Sequence, residues 1–102
     1  MYSLNKSSGE LVISGSGNMN NFQYSPWYNQ KDCITSVDIK NGVTSIGECA
    51  FQQHKKLVSI NIPNEVDYIG KNAFDSCSEL MSIKLPIGIT SINDKTFYSC
   101  KI

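Results

Sequence analysis

Few side chains in this 102-residue chain could do chemistry: one histidine, His54, and four cysteines, Cys33, Cys49, Cys77 and Cys100. A histidine acts as a general base only beside a nucleophile and an orienting carboxylate, and no Ser-His-Asp set with a local signature surrounds His54. The cysteines form no C-x-x-C pair, the spacing used by zinc sites and redox motifs. Gly15-Ser16-Gly17 lacks the third glycine and the following helix of a dinucleotide-binding loop. No paired carboxylates suggest acid-base work. Asn5-Lys6-Ser7 fits an N-glycosylation acceptor, a three-residue match that is frequent by chance. The expectation is a protein that is not an enzyme, with no catalytic residue, cofactor or metal.

Charge narrows the classes further. Nine Lys plus Arg balance nine Asp plus Glu, so the formal net charge is zero. Nucleic-acid binders carry a basic stripe and membrane-surface helices a basic amphipathic face, and neither is present. Apolar runs reach only three residues (Leu11 to Ile13), too short to span a bilayer. Neither nucleic acid nor membrane insertion is expected, and the polar N-terminal stretch Tyr2 to Glu10 is not a signal peptide.

The elements that position these residues follow from a repeat. Segments 34–56, 57–79 and 80–102 align without gaps at 23 residues. Apolar columns run through Ile34/Leu57/Leu80, Val37/Ile60/Ile83, Ile39/Ile62/Leu85, Val43/Val66/Ile89, Ile46/Ile69/Ile92 and Phe51/Phe74/Phe97, with Ser36/Ser59/Ser82 beside them. Within Val58 to Pro63, Ile60 and Ile62 alternate with Ser59 and Asn61, the period of a strand. Pro63 and Pro86 close that strand because proline donates no ladder hydrogen bond. A second extended piece, Val66 to Ile69, ends at Gly70, where a positive φ is expected, as at Gly47. Lys71 to Cys77 is short and helix-compatible. One such unit cannot bury its apolar face, so the units must stack.

The pattern L-x-S-I-x-I-P-x-x-V-x-x-I-G-x-x-A-F-x-x-C, carried by Leu57, Ser59, Ile60, Ile62, Pro63, Val66, Ile69, Gly70, Ala73, Phe74 and Cys77, resembles the BspA-like, or Treponema-type, leucine-rich repeat. Gly9 to Met19 followed by Pro26 to Tyr28 is similar to the capping region that precedes such repeats. The resemblance implies an α/β solenoid: a leucine-rich-repeat right-handed superhelix of three 23-residue repeats (34–56, 57–79, 80–102) behind a β-hairpin N-terminal cap (1–33). It also implies a protein-binding module of the cell-surface or secreted adhesion type, whose partner is a host, matrix or other cell-surface protein. His54 departs from the family's Cys, and Asn93, Lys95 and Thr96 depart from G-x-x-A, which predicts an irregular last repeat.

The outward strand positions Ser36, Asp38, Lys40, Ser59, Asn61, Ser82 and Lys84 are the candidate partner-binding face, a polar face of small residues and mixed sign whose plain alternative is a solvated sheet face. Cys77 and Cys100 share a column and stand close enough for a disulfide, whereas the resemblance favours buried free thiols. A ladder aligns His54, Cys77 and Cys100 in parallel and lacks a fourth ligand, which argues against a metal. The aromatic cluster Phe22, Tyr24, Trp27 and Tyr28 either covers the first repeat or offers Trp27 and Tyr28 as a platform for a sugar or peptide. The chain stops at Ile102 in the last column, where a further strand or a cap is expected. The open end predicts a longer array or self-association through that end. A structural spacer or self-associating unit is therefore the alternative function, and a carbohydrate-binding module a third.

Overall fold

A computed structural model describes residues 1–81, 83–89, 92–93 and 95–100. Strands β1 (Tyr2–Asn5), β2 (Glu10–Ile13), β4 (Ser36–Ile39) and β6 (Ser59–Asn61) form one sheet in the order β1-β2-β4-β6, and β3 (Gly17–Asn18), β5 (Val43–Ile46) and β7 (Tyr68–Ile69) form a second. β1 and β2 are an antiparallel hairpin, and every other pairing is parallel. Its turn is held by Asn5, whose Oδ1 accepts the amides of Ser7 and Ser8 at 3.0 and 3.2 Å. Ser36 pairs with Ser59, Val37 with Ile60 and Asp38 with Asn61, the 23-residue register read from the sequence. The hairpin is itself wound into the stack: Leu11 pairs with Val37 and Ile13 with Ile39, and Met19 N–H donates to Ser45 Oγ 26 residues on.

The apolar columns fill the interior. Leu11, Ile34, Ile46, Phe51, Leu57, Val66, Phe74 and Leu80 are fully buried. Phe51 and Phe74 stack at 5.4 Å between centroids and Phe74 and Phe97 at 5.5 Å. Trp27 continues the pile, stacked on Phe51 at 5.7 Å. Planar side chains at one register position bring large apolar area together at little rotamer cost.

The turn segments corresponding to Lys71 to Cys77 correct the helix-compatible reading, and with it the α component of the expected α/β class. No α-helix occurs among the described residues, and the one helical segment is a 3₁₀ turn, Tyr28–Cys33. Lys71 to Cys77 and its equivalents are chains of single turns. Ala73 N–H bonds to the Gly70 carbonyl, Asp75 to Asn72 and Cys77 to Phe74. The intervening amides reach the next coil instead: Cys49 N–H to the Lys71 carbonyl, Phe51 to Ala73, Gln53 to Asp75, Phe74 to Thr96 and Ser76 to Tyr98. That alternation requires a left-handed residue in each turn, and positive φ recurs at Cys49/Asn72/Lys95 and at Gln53/Ser76/Ser99. A helix would turn all these amides back on itself; here half of them join the coils.

Gly47 and Gly70 do not take the positive φ expected of them. Their lack of a side chain serves close approach: a Cβ on Gly47 would collide with the Asn20 carbonyl oxygen, and one on Gly70 would lie 2.6 Å from the Glu48 nitrogen. Asn93 replaces this glycine in the third repeat, and its Nδ2 donates to the Ile69 carbonyl. Thr96, standing for the family's alanine, is buried, and its hydroxyl donates within hydrogen-bonding distance of the carbonyls of Gly70 (3.3 Å) and Asn93 (3.0 Å). The departures are thus accommodated by hydrogen bonds on the flank. On the sheet side, Ile83 to Leu85 are not assigned as strand among the described residues, and Leu85 and Ile92, in columns that are inward in the earlier repeats, are exposed.

Candidate functional site

The first sheet turns one set of side chains inward and the other out, as the period of two requires. Its outward rows run across the coils. One row carries Asn5, Glu10, Ser36 and Ser59, and the next Ser3, Val12, Asp38 and Asn61. Five of the seven residues singled out from the sequence, Ser36, Asp38, Lys40, Ser59 and Asn61, stand together on or beside β4 and β6. Lys84 is exposed in the third repeat, and Ser82 lies outside the described residues. Glu10 and Val12 join the face unanticipated. Their signal, the alternation in Glu10-Leu11-Val12-Ile13, was visible, but the 26-residue offset hid their register.

Asp38 organises the centre of the face. Lys40 Nζ lies 2.7 Å from its Oδ2, and Asn61 Nδ2 donates to its Oδ1 at 2.9 Å from the neighbouring strand. The hydrogen bond from Lys40, then that from Asn61, hold the carboxyl below the usual aspartate range, and Asp38 in turn raises the Lys40 ammonium. The pair is open to solvent, so it orients side chains more than it stabilises the fold. The result is a row of small hydroxyls beside a fixed carboxylate-ammonium-amide cluster, a surface that offers directional hydrogen bonds with little bulk in the way.

Among the other candidates, Cys77 and Cys100 are free thiols. Each donates to a carbonyl of the preceding coil, Cys77 Sγ to Phe51 at 3.1 Å and Cys100 Sγ to Phe74 at 3.0 Å. Burial pushes the Cys77 thiol up to about 12, and those of Cys49 and Cys100 upward as well. His54 fills the equivalent place one coil earlier, fully buried. Its Nδ1 sits 2.9 Å from the Gln52 carbonyl, its Nε2 has no hydrogen-bond partner among the described residues, and burial lowers its pKa. No group of three or more His, Cys, Asp or Glu among the described residues is placed to hold a metal.

Of the two readings of the aromatic cluster, Trp27 follows the cover and does not join Tyr28 in a platform. Trp27 is 3% exposed, donates its Nε1 hydrogen to the Ala50 carbonyl at 2.9 Å, and covers Phe51. An indole that finds both stacking and a hydrogen bond inside gains nothing by turning out. Tyr28 is half-buried and packs edge-on against Tyr24.

Parallel strands stacked coil on coil over one column of aromatic rings define a leucine-rich-repeat protein. The family model described as the BspA type leucine rich repeat region (6 copies) matches residues 18–102. The chain belongs to that family. Among solved structures, a leucine-rich repeat protein from Eubacterium ventriosum is similar over 97% of this chain and 33% of its own, with a TM-score of 0.84 and 27% identity. One from Bacteroides ovatus is similar over 98% of this chain and 31% of its own, with a TM-score of 0.69 and 28% identity. The T. pallidum leucine rich repeat protein shares the fold at 19% identity and a TM-score of 0.62, over 87% of this chain and 48% of its own. The chain therefore spans a third to a half of the length of these relatives. No curated protein matches the sequence. Among the described residues, no helix is long and apolar enough to cross a membrane.

Proposed function

We propose that this chain is a protein-binding module of the cell-surface or secreted adhesion type, engaging a host, matrix or other cell-surface protein through the outward face of its first sheet. Residues 1–33 serve as the N-terminal cap of a right-handed coil of three repeats. The observation that carries this reading is the ordered polar row over β4 and β6, where Asp38 fixes Lys40 and Asn61 beside the open hydroxyls of Ser36 and Ser59. A face of small side chains on a stiff parallel sheet admits a partner closely and loses little entropy on binding.

The test is binding of the chain to a panel of purified matrix proteins, repeated with a Ser36→Arg/Ser59→Arg variant. Saturable binding abolished by the double variant, with the thermal midpoint unchanged, is the expected result. Binding that survives the variant, or no binding to any member, overturns the reading.

A spacer or self-associating unit is the second reading. It is favoured by the apolar surface of the third repeat, where Met81, Leu85, Ile87 and Ile92 are exposed, Ile87 by 94%. A monomer at all concentrations in sedimentation analysis would dismiss it.

A further inference from the structure

The flank of the molecule holds a second candidate site, independent of the sheet face. Gln23, Tyr24, Tyr28, Cys49, Gln52 and Gln53 line an open cleft of about 430 Å³ beside the first turn chain. None of the six carries a formal charge at neutral pH, since burial raises the Cys49 thiol. Three primary amides share the lining with two phenol rings, so it offers paired donors and acceptors beside an aromatic surface.

The rings are set in place by contacts of their own. Tyr28 Oη donates to Gln53 Oε1 at 2.7 Å, a bond that does not use the Gln53 amide hydrogens. Lys31 Nζ lies 4.3 Å from the Tyr28 ring centroid, over its face. With its hydroxyl and one face engaged, Tyr28 acts as a prop. Tyr24 leans on it edge-on at 4.9 Å and is itself 63% exposed. A large ring held in the open by a prop is a stacking surface already ordered before any ligand arrives, which lowers the entropic cost of binding.

We propose that this cleft binds a neutral saccharide, with a sugar ring stacked on Tyr24 and its hydroxyls hydrogen-bonded by the amides of Gln23, Gln52 and Gln53. Lys31 stands against the Tyr28 ring and is not part of the lining, and an uncharged lining disfavours phosphate or carboxylate ligands, which seek cationic donors. A proline-rich peptide also favours tyrosine, but it is read by an extended groove with successive aromatic pockets, and this cleft contains a single aromatic pair.

The experiment titrates the ¹⁵N-labelled full chain with lactose, maltose and N,N′-diacetylchitobiose, following the side-chain amide resonances of Gln23, Gln52 and Gln53. At least one disaccharide is expected to shift them saturably at millimolar concentration. Tyr24→Ala, at an exposed position, is expected to weaken that binding by about threefold to tenfold, the range of an aromatic contact, with the thermal midpoint unchanged. Tyr28→Phe frees the prop from Gln53 and should weaken it in the same direction. The proposal is overturned if no disaccharide gives a saturable shift, if Tyr24→Ala binds undiminished, or if a decaproline peptide moves these resonances and the sugars do not.

Discussion

The rings of Phe74 and Phe97 lie 5.5 Å apart and 5° from parallel, one coil above the other. Phe74 also stacks on Phe51, so it is gripped from both sides. Phe74→Ala should therefore cost about 3–5 kcal/mol, as truncation of an enclosed aromatic does. Asn61→Ala, on the exposed outer row, should change stability by about 0.5 kcal/mol or less. Urea denaturation of the two variants reads the difference, and the reverse ranking would mean that the inward and outward registers have been exchanged.

His54 sets an acid limit on stability. Its pKa is lowered in the folded chain by burial, so the unfolded chain takes up a proton first as pH falls. The contribution is intact above the ordinary histidine value of about 6.5 and declines below it, with a slope of at most about 1.4 kcal/mol per pH unit, until the folded pKa is reached. His54→Cys, which gives this coil the residue found in the next two, should flatten the curve of urea midpoint against pH between neutrality and mild acid. An equally steep curve in the variant would rule out His54 as its source.

Gly47→Ala should destabilise by about 1–3 kcal/mol, as overpacking does, because the added methyl meets the Asn20 carbonyl. Gly17→Ala is a poor control because of its positive φ. Gly88→Ala is a better one, since its nearest neighbour would be Asp67 Cβ at 3.5 Å, an ordinary contact. Thermal midpoints that fall equally in the two variants would mean that the coils are not in close contact at Gly47.

The thiols should divide by accessibility. Cys33 is exposed, whereas Cys77 is fully buried with its thiol pushed up to about 12. A disulfide-exchange reagent at neutral pH should modify Cys33 rapidly and Cys77 only after denaturant is added. Rapid labelling of Cys77 in native buffer, read by peptide mass, would contradict its burial.

The strands and the aromatic pile were legible because a column repeated at one period leaves no second way to bury itself. Phe51, Phe74 and Phe97 announce their own contact. The flank was harder to read. Its left-handed positions are occupied by Cys49, Asn72 and Lys95 and by Gln53, Ser76 and Ser99, none of which is the glycine that marks such backbone in a sequence. Spacing alone therefore made Ala73, Phe74 and Cys77 look like a helical face. The glycines that are present, at 47 and 70, answer to crowding between coils, a demand invisible until the coils are stacked. At the candidate face, Asp38 and Asn61 could be paired from the repeat alone, whereas Glu10 and Val12 needed a register that breaks its period. An aromatic cluster shows that rings will gather but not which of them turns inward, so the sequence offers both a cover and a platform, and the structure turns Trp27 in to cover Phe51.

The alternating amides of the flank also bear on how the molecule would respond to force. Among the described residues, the earlier coils are tied together by rungs in both sheets and by a further set along the turns, whereas the second and third repeats are joined along the turns alone. Tension applied along the stack would open the most sparsely tied junction first, and the chain would peel away loop by loop rather than rupture at once.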